Sequence, residues 1–497
     1  MSKRKTIALT AGLIAVCAGS ASPVAAQTAP NPERRGIGTE PFLPGEAGTA
    51  LLPVPDFEID ARRSLFVTEK AALKALTFKD VMQKLADDAV DLGDQSATPE
   101  RLFEDWWAQA ASPSCQTSVN GFPYDCPRPE SEQTAAQAFG DGAGAYILTG
   151  AVNRTDLAAT DWSNCGEQRL VFARRNGPAS ETFTPGRNLL IFEASIPNPA
   201  PDRGKRGCAG IASFWAELSD PALSAAERGE RLRSHFLGGW GDPAVEIVSL
   251  ANYGFHTSYG EAPELDRPLG QIRTNQFMGR DSRLWLLREF RPRRIAGETK
   301  VTIAPQILAA NPEPSLFAAQ EGDANAEQAR QLGQEIIDQL ADLSVPDINR
   351  FTIATSLGIN TADGHSQKTE GSFLAMFKRD GGNGIVRNML AGVTGEAEGQ
   401  LTAEQLVNRV EAMSCGGCHQ SSNGKDVGLR ANQSSNGKNV GQGPDKPWPL
   451  SAGFVHVDEM TDDDDVSEPS FKLSPALTDV FLPFRLKLFK KEFFGGS

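Results

Sequence analysis

The sequence lacks any apolar run of the ~18 residues that a bilayer-spanning helix requires, so no integral membrane helix is expected. It is short of bases: 49 Lys and Arg stand against 63 Asp and Glu, a formal net charge of −14. Gripping nucleic-acid phosphates takes Lys/Arg clusters, so no nucleic-acid partner is expected. Familiar catalytic signatures are missing: no GxSxG, no HExxH and no P-loop occurs. Gly140-x-Gly142-x-Gly144 precedes a strand-like run instead of following one, so it is not a dinucleotide fingerprint. His235, His256 and His365 are isolated and lack the oriented partner that acid–base work needs, so each reads as a surface or satisfied core residue.

What is present is an ordinary globular composition, 40% hydrophobic and 23% charged. The 497 residues suggest about three domains, with chain enough to fold without obligatory staples. Lys3, Arg4 and Lys5 precede an apolar stretch from Ile7 to Ala18, and Val24-Ala25-Ala26 supplies small residues for cleavage. Residues 1–26 therefore read as a secretory signal peptide, and export to a periplasm is expected. Cys17 falls in the discarded segment. In an oxidising compartment the isolated cysteines tend to pair. Chain order favours Cys115–Cys126 and Cys165–Cys208, although spacing alone does not settle connectivity.

The chain then divides by pattern. Residues 27–56 form a Pro/Gly-rich linker. Residues 57–110 read as helical, with Leu73, Leu76, Val81 and Leu85 at helical spacing. Thr98-Pro99-Glu100 makes a second helix start, followed by the stripe Leu102, Phe103, Trp106 and Trp107. Residues 111–312 read as β-rich. Strand-like runs lie at Ala145–Val152, Arg169–Ala173, Asn188–Ile196, Val245–Tyr253, Gln271–Met278, Leu284–Phe290 and Val301–Ile303, with a helix inserted at about Ser224–Phe236. Residues 313–400 read as helix and loop, Gly-rich from 375 on, and residues 401–497 as a small C-terminal module. Its first helix begins with the Thr402/Gln405 capping box. The fold class expected is α+β: an N-terminal helical region, an antiparallel sandwich-like β domain, and a helical region leading into that module. QSSNGKDVG at 420–428 recurs as QSSNGKNVG at 433–441, a local duplication in a polar loop. Asp462–Asp465 is an acidic run expected to be a solvated face.

Chemistry concentrates in Cys415-Gly416-Gly417-Cys418-His419. CxxCH is the pattern of covalent haem attachment. Two thiols three positions apart reach the two vinyl groups along one side of a porphyrin, and the next imidazole then lies beneath the ring. A redox dithiol, a plain disulfide, and a zinc site using Cys415, Cys418, His419 and His456 are the alternatives. Two candidates for a sixth iron ligand follow the motif, His456 in GFVHV and Met460; an open sixth position is the third possibility.

With this motif behind an amphipathic helix and an export signal, the last ~85 residues resemble the c-type cytochromes, a small module by domain-size norms. The resemblance implies one covalent haem c and its iron, with thioethers at Cys415 and Cys418 and His419 as proximal ligand. RTN at 273–275 and LREF at 287–290 resemble segments of uncharacterised exported bacterial proteins that end in CxxCH. The function expected is one-electron transfer to a redox partner that the sequence does not name. A haem-dependent, peroxidase-like oxidoreductase and a non-enzymatic cell-envelope binding protein are the rivals. The tail places Phe481, Leu482, Phe484, Leu486, Leu488 and Phe489 among Arg485, Lys487 and Lys490. That stripe suits docking on the body better than lying on a membrane surface.

Overall fold

Three consecutive β-rich runs, buried on nearly every residue, form the centre of one antiparallel sheet. The computed structural model describes residues 51–110, 118–119, 122–123, 129–175, 186–239, 245–255, 270–278, 284–295, 297–306, 308–309, 311–357, 360–361, 364–365, 372–379, 381–394, 401–429, 446–453 and 455–495. The signal peptide, Cys17, Cys115, Cys126, His256 and the second copy of the repeat lie outside these.

The strands are β1 (Phe66–Val67), β2 (Tyr146–Arg154), β3 (Asn164–Arg174), β4 (Asn188–Pro197), β5 (Gln271–Met278), β6 (Leu284–Arg294), β7 (Val301–Gln306) and β8 (Gly364–His365). They pair in the order β1-β2-β3-β4-β5-β6, and β7 and β8 both pair with β6 along its remaining edge. Every pairing is antiparallel. From β2 to β7 consecutive strands are neighbours in the sheet; the connections are short except that from β4 to β5, which carries the helices Ala209–Glu217 and Ala225–Leu237.

Register sorts the side chains into two unlike faces. Leu170, Phe192, Ile272 and Phe290 align across β3–β6. Helices α1 (Phe78–Asp91) and α2 (Pro99–Ala110) cover this apolar face. Phe78 meets Phe172 at 5.3 Å, and Trp106 meets Phe192 at 6.0 Å and Phe290 at 5.8 Å. The capping box at Thr77 and Asp80 starts α1, and the stripe read in α2 is core, with Phe103 and Trp106 fully buried. The opposite face carries the cross-strand pairs Arg154–Glu167, Arg169–Glu193 and Arg273–Glu289. Among the described residues helices and the C-terminal segment, not a second large sheet, cover the faces, so the architecture is α+β without the expected sandwich.

One strand expectation also gives way. Val245–Tyr253 forms no strand: Ile247, Val248, Leu250 and Tyr253 are buried in an irregular segment that ends in the helical turn Ala251–Tyr253 and a left-handed Gly254 at φ +80°. A short apolar run signals burial, and burial alone does not choose a strand. The helix after Ser224 is α3 (Ala225–Leu237), capped by Ser224 and Glu227. Its His235 is buried, stacks on Phe214 at 3.7 Å, and sets Nε2 2.6 Å from Gln168 Oε1.

Buried apolar residues from Leu316–Ile353 (other than Phe351), Phe373–Leu390 and Leu406–Val410 build a second, helical core of their own. It contains α4 (Ala326–Asp338), α5 (Phe373–Arg379), α6 (Ile385–Ala391) and α7 (Ala403–Ala412). The Gly-rich stretch expected as loop thus contains α6, whose Ile385, Val386 and Leu390 supply enough buried surface to hold a short helix. The described apolar residues between Ala412 and Phe494 join the core of the large sheet instead. Among them are the hairpin β9 (Val457–Asp462) with β10 (Phe471–Leu473), and the last helix α8 (Leu482–Phe494). Phe489, Phe493 and Phe494 are buried, and the Phe493 carbonyl accepts from Leu51 and Leu52 N–H groups, so the tail docks on the body. Asp463 is buried and bonds Arg62, which corrects the solvated-face reading of the acidic run at that residue. Cys165 and Cys208 form a disulfide with Cα atoms 5.4 Å apart. Among the described residues no helix is long and apolar enough to cross a membrane.

Candidate functional site

Helix α7 delivers the CxxCH motif, and buried charges hold that helix in place. Thr402 and Gln405 close its first turn reciprocally. Near its end Arg409 donates Nε to the Val427 carbonyl at 2.7 Å and Nη1 to the Val345 carbonyl at 2.8 Å. Its guanidinium lies over the Phe351 ring. Glu411, fully buried, accepts from Ser372 Oγ (2.8 Å), the Leu374 N–H (3.1 Å) and Lys425 Nζ (2.6 Å). Each buried charge therefore has its partners, which makes the anchor rigid.

The chain then turns at Ser414. Its hydroxyl accepts from the Gly417 N–H and its carbonyl from the Cys418 N–H, both at 2.9 Å. Gly417–Ser421 forms one π-helical turn, a form found mostly as single turns and frequent at functional sites. A Cβ at Gly417 would overlap the Glu411 carbonyl oxygen, so glycine is needed here to stack the motif on the end of α7.

Cys415 and Cys418 are both free thiols, the first half-buried and the second buried. His456 approaches from the segment before β9. Its Nε2 lies 3.6 Å from Cys418 Sγ, and its Nδ1 lies 2.9 Å from Ser474 Oγ. The bond at one ring nitrogen orients the other, so Ser474 aims Nε2 at the motif. The rings of His419 and His456 sit 4.7 Å apart, tilted by 37°. Met460, four residues on, is 41% exposed on β9 and has its N–H turned to Asp458. The structure therefore gathers Cys418, His419 and His456 and leaves Met460 at the surface. His235 packs in the core away from the motif, and His365 contributes backbone to β8. Among the described residues no three His, Cys, Asp or Glu side chains form a metal-holding group.

Electrostatics favour neutral forms here. Burial, then Cys415, pushes the Cys418 thiol up to about 12, against the pull of Arg485 and Arg154. A thiol so raised is a poor nucleophile and a poor redox dithiol. Burial, then His419, Arg485 and Arg154, holds His456 well below the ordinary imidazole range. Neutral imidazole is the form that ligates metals.

The charged sheet face supplies the surroundings. Glu193 bonds Arg169 at 3.0 Å, Arg273 at 3.2 Å and Gln271 at 2.7 Å. Arg273 also meets Glu289 at 3.5 Å and interacts with Cys415. The two short segments singled out in the sequence, RTN and LREF, are cross-strand neighbours: Arg273 faces Glu289. The pairing of arginines with acids across this face escaped the sequence reading. The available signal was the charged residue at alternate positions of otherwise apolar strands, as in Glu167-x-Arg169.

No family model, curated protein or solved structure matches this chain.

Proposed function

We propose that this is an exported, monohaem c-type cytochrome-like protein that passes single electrons. The observation that carries the reading is the meeting of the CxxCH turn with His456. A porphyrin supplies four nitrogens itself, so the protein need provide only axial ligands and tethers. Cys415 and Cys418 are unpaired thiols available for thioethers, and His419 and His456 are the two imidazoles at hand. Those rings are in near contact, and seating a porphyrin requires them to part. The residues present suit the group. When bound, it would supply an iron that alternates between ferric and ferrous.

The chain's own contribution is positional. α7 and the Ser414 turn hold Cys418 and His419, and Ser474 orients His456. Arg154 at the end of β2 and Arg485 on α8 set the field around the site. A second imidazole at the motif favours electron transfer over the peroxidase-like alternative, which needs an open sixth position. The envelope-binding alternative finds no favouring observation in the structure.

The test is expression in a host with haem-attachment machinery, a haem stain on a denaturing gel, a pyridine haemochrome spectrum, and mass spectrometry of the peptide around Cys415. A covalent haem mass that vanishes in C415A/C418A is the expected result. A colourless protein whose two thiols are joined to each other overturns the reading.

A further inference from the structure

One carboxylate, that of Asp156, is shared by two buried arginines beside the CxxCH motif. Arg154, ending β2, bonds Asp156 through Nε and Nη2 at 2.9 Å each. Arg485, on α8, reaches the same carboxylate only at 3.5 Å. Both arginines are 7% exposed. Glu167 and Glu193 also act on Arg154, but Arg169 engages both, and Arg273 engages Glu193 as well. Two cations therefore face one anion that is not already committed to another arginine, in a place with little water to solvate the excess. Burial, then repulsion from Arg154, pushes the Arg485 guanidinium down to about 9. The Arg485 guanidinium lies 5.8 Å from the Phe481 ring, Phe481 packs on Trp448 at 5.9 Å, and the Trp448 carbonyl accepts from the Gly424 N–H just after the motif. The pair therefore sits in the core that also contains Cys418, and both guanidiniums act electrostatically on Cys418 and His456.

A guanidinium fork matches a carboxylate bidentately, and Arg154 already uses its fork in that way on Asp156. Arg485 makes no such paired contact with Asp156. A haem tethered through its vinyl groups carries two propionate carboxylates on another edge. Resting on the haem reading above, we propose that Arg485, backed by Arg154, receives a carboxylate, and that this carboxylate is a propionate of the attached porphyrin. The large sheet, through Arg154, would then be part of the cofactor site, in addition to the C-terminal module that carries the motif and α8. A small soluble anion has the same chemistry and is the other possible source.

The experiment uses the native, haem-loaded protein and the variants R485Q and R485K, read by redox potentiometry and resonance Raman spectroscopy of the propionate-bending band. R485Q should shift the midpoint potential downward, because a positive charge beside the iron favours its reduced form, and should shift the band. R485K should keep the potential near that of the parent, since the charge stays, and still shift the band, since the fork is lost. Should R485Q fail to accumulate, the band in R485K decides. A parent that stains for haem, with the band unchanged in whichever variants accumulate, overturns the inference and leaves the haem reading standing. Titration with acetate or chloride that moves the spectrum of the parent but not of a variant assigns the site to a soluble anion, which also overturns it. A parent that takes no haem fails the reading beneath, and this inference with it.

Discussion

His456 sets its Nε2 3.6 Å from the sulfur of Cys418, across 38 residues of sequence. The contact exists because the β9–β10 hairpin returns the chain over the motif and Ser474, just after β10, grips the other ring nitrogen. The Ser474 N–H also donates to the His456 carbonyl at 2.9 Å, which ties backbone as well as ring.

Replacing His456 should therefore disturb the site where replacing Met460 does not. In haem-loaded protein, H456A is expected to convert a six-coordinate low-spin spectrum to a high-spin one, visible in absorption and electron paramagnetic resonance. M460A, on an exposed strand position, should leave the spectrum unchanged. S474A should give an intermediate result, with the imidazole present but less well oriented.

Gly417→Ala forces a methyl group against the Glu411 carbonyl at the end of α7. Overpacking of this kind costs about 1–3 kcal/mol. The denaturant midpoint of the unloaded protein should fall accordingly, and haem incorporation should fall with it, because the turn that presents Cys418 and His419 is displaced.

The Cys165–Cys208 bridge spans 43 positions and both cysteines are buried. On the chain-entropy account, a loop of that size contributes roughly 4 kcal/mol. C165A/C208A should lose stability of that order in urea. Because the sulfurs are shielded, added reductant should have little effect on the parent until it begins to unfold.

His235 gives the protein a specific acid sensitivity. Burial against Phe214 pushes its imidazole down to about 3, from an ordinary value of 6.5. The unfolded chain then binds the proton more readily than the folded one, so stability is full above pH 6.5 and falls as the pH drops from there toward 3. The slope from this one group approaches about 1.4 kcal/mol per pH unit. Urea unfolding between pH 7 and 5 should show the decline, and H235Q, less stable at neutral pH, should show a shallower one over the same interval.

How much was legible beforehand follows from the range of each interaction. The capping boxes at Ser224/Glu227 and Thr402/Gln405 are local devices, and the helices they start appear where the sequence places them. The strand at Gln271–Met278 was bounded by its own alternation and turn residues. Val245–Tyr253 misled because an apolar run reports only that it is buried. The helix at Ile385–Ala391 was hidden among glycines because its stability comes from packing, not from its composition. Arg154, Asp156 and Arg485 could not be grouped from the sequence, since nothing local links the end of one strand to a helix more than 300 residues away.

The amino-acid order alone determined the CxxCH pattern, the antiparallel β-rich middle and the candidate His456, because spacing, periodicity and capping act within a few residues. Tertiary folding alone decided which distant groups meet: that His456 rather than Met460 reaches Cys418, that one sheet face is aromatic and the other ionic, and that two arginines share one aspartate. Those outcomes depend on strand register and on how the C-terminal segment packs, and such non-local terms leave no signature in any short stretch of chain.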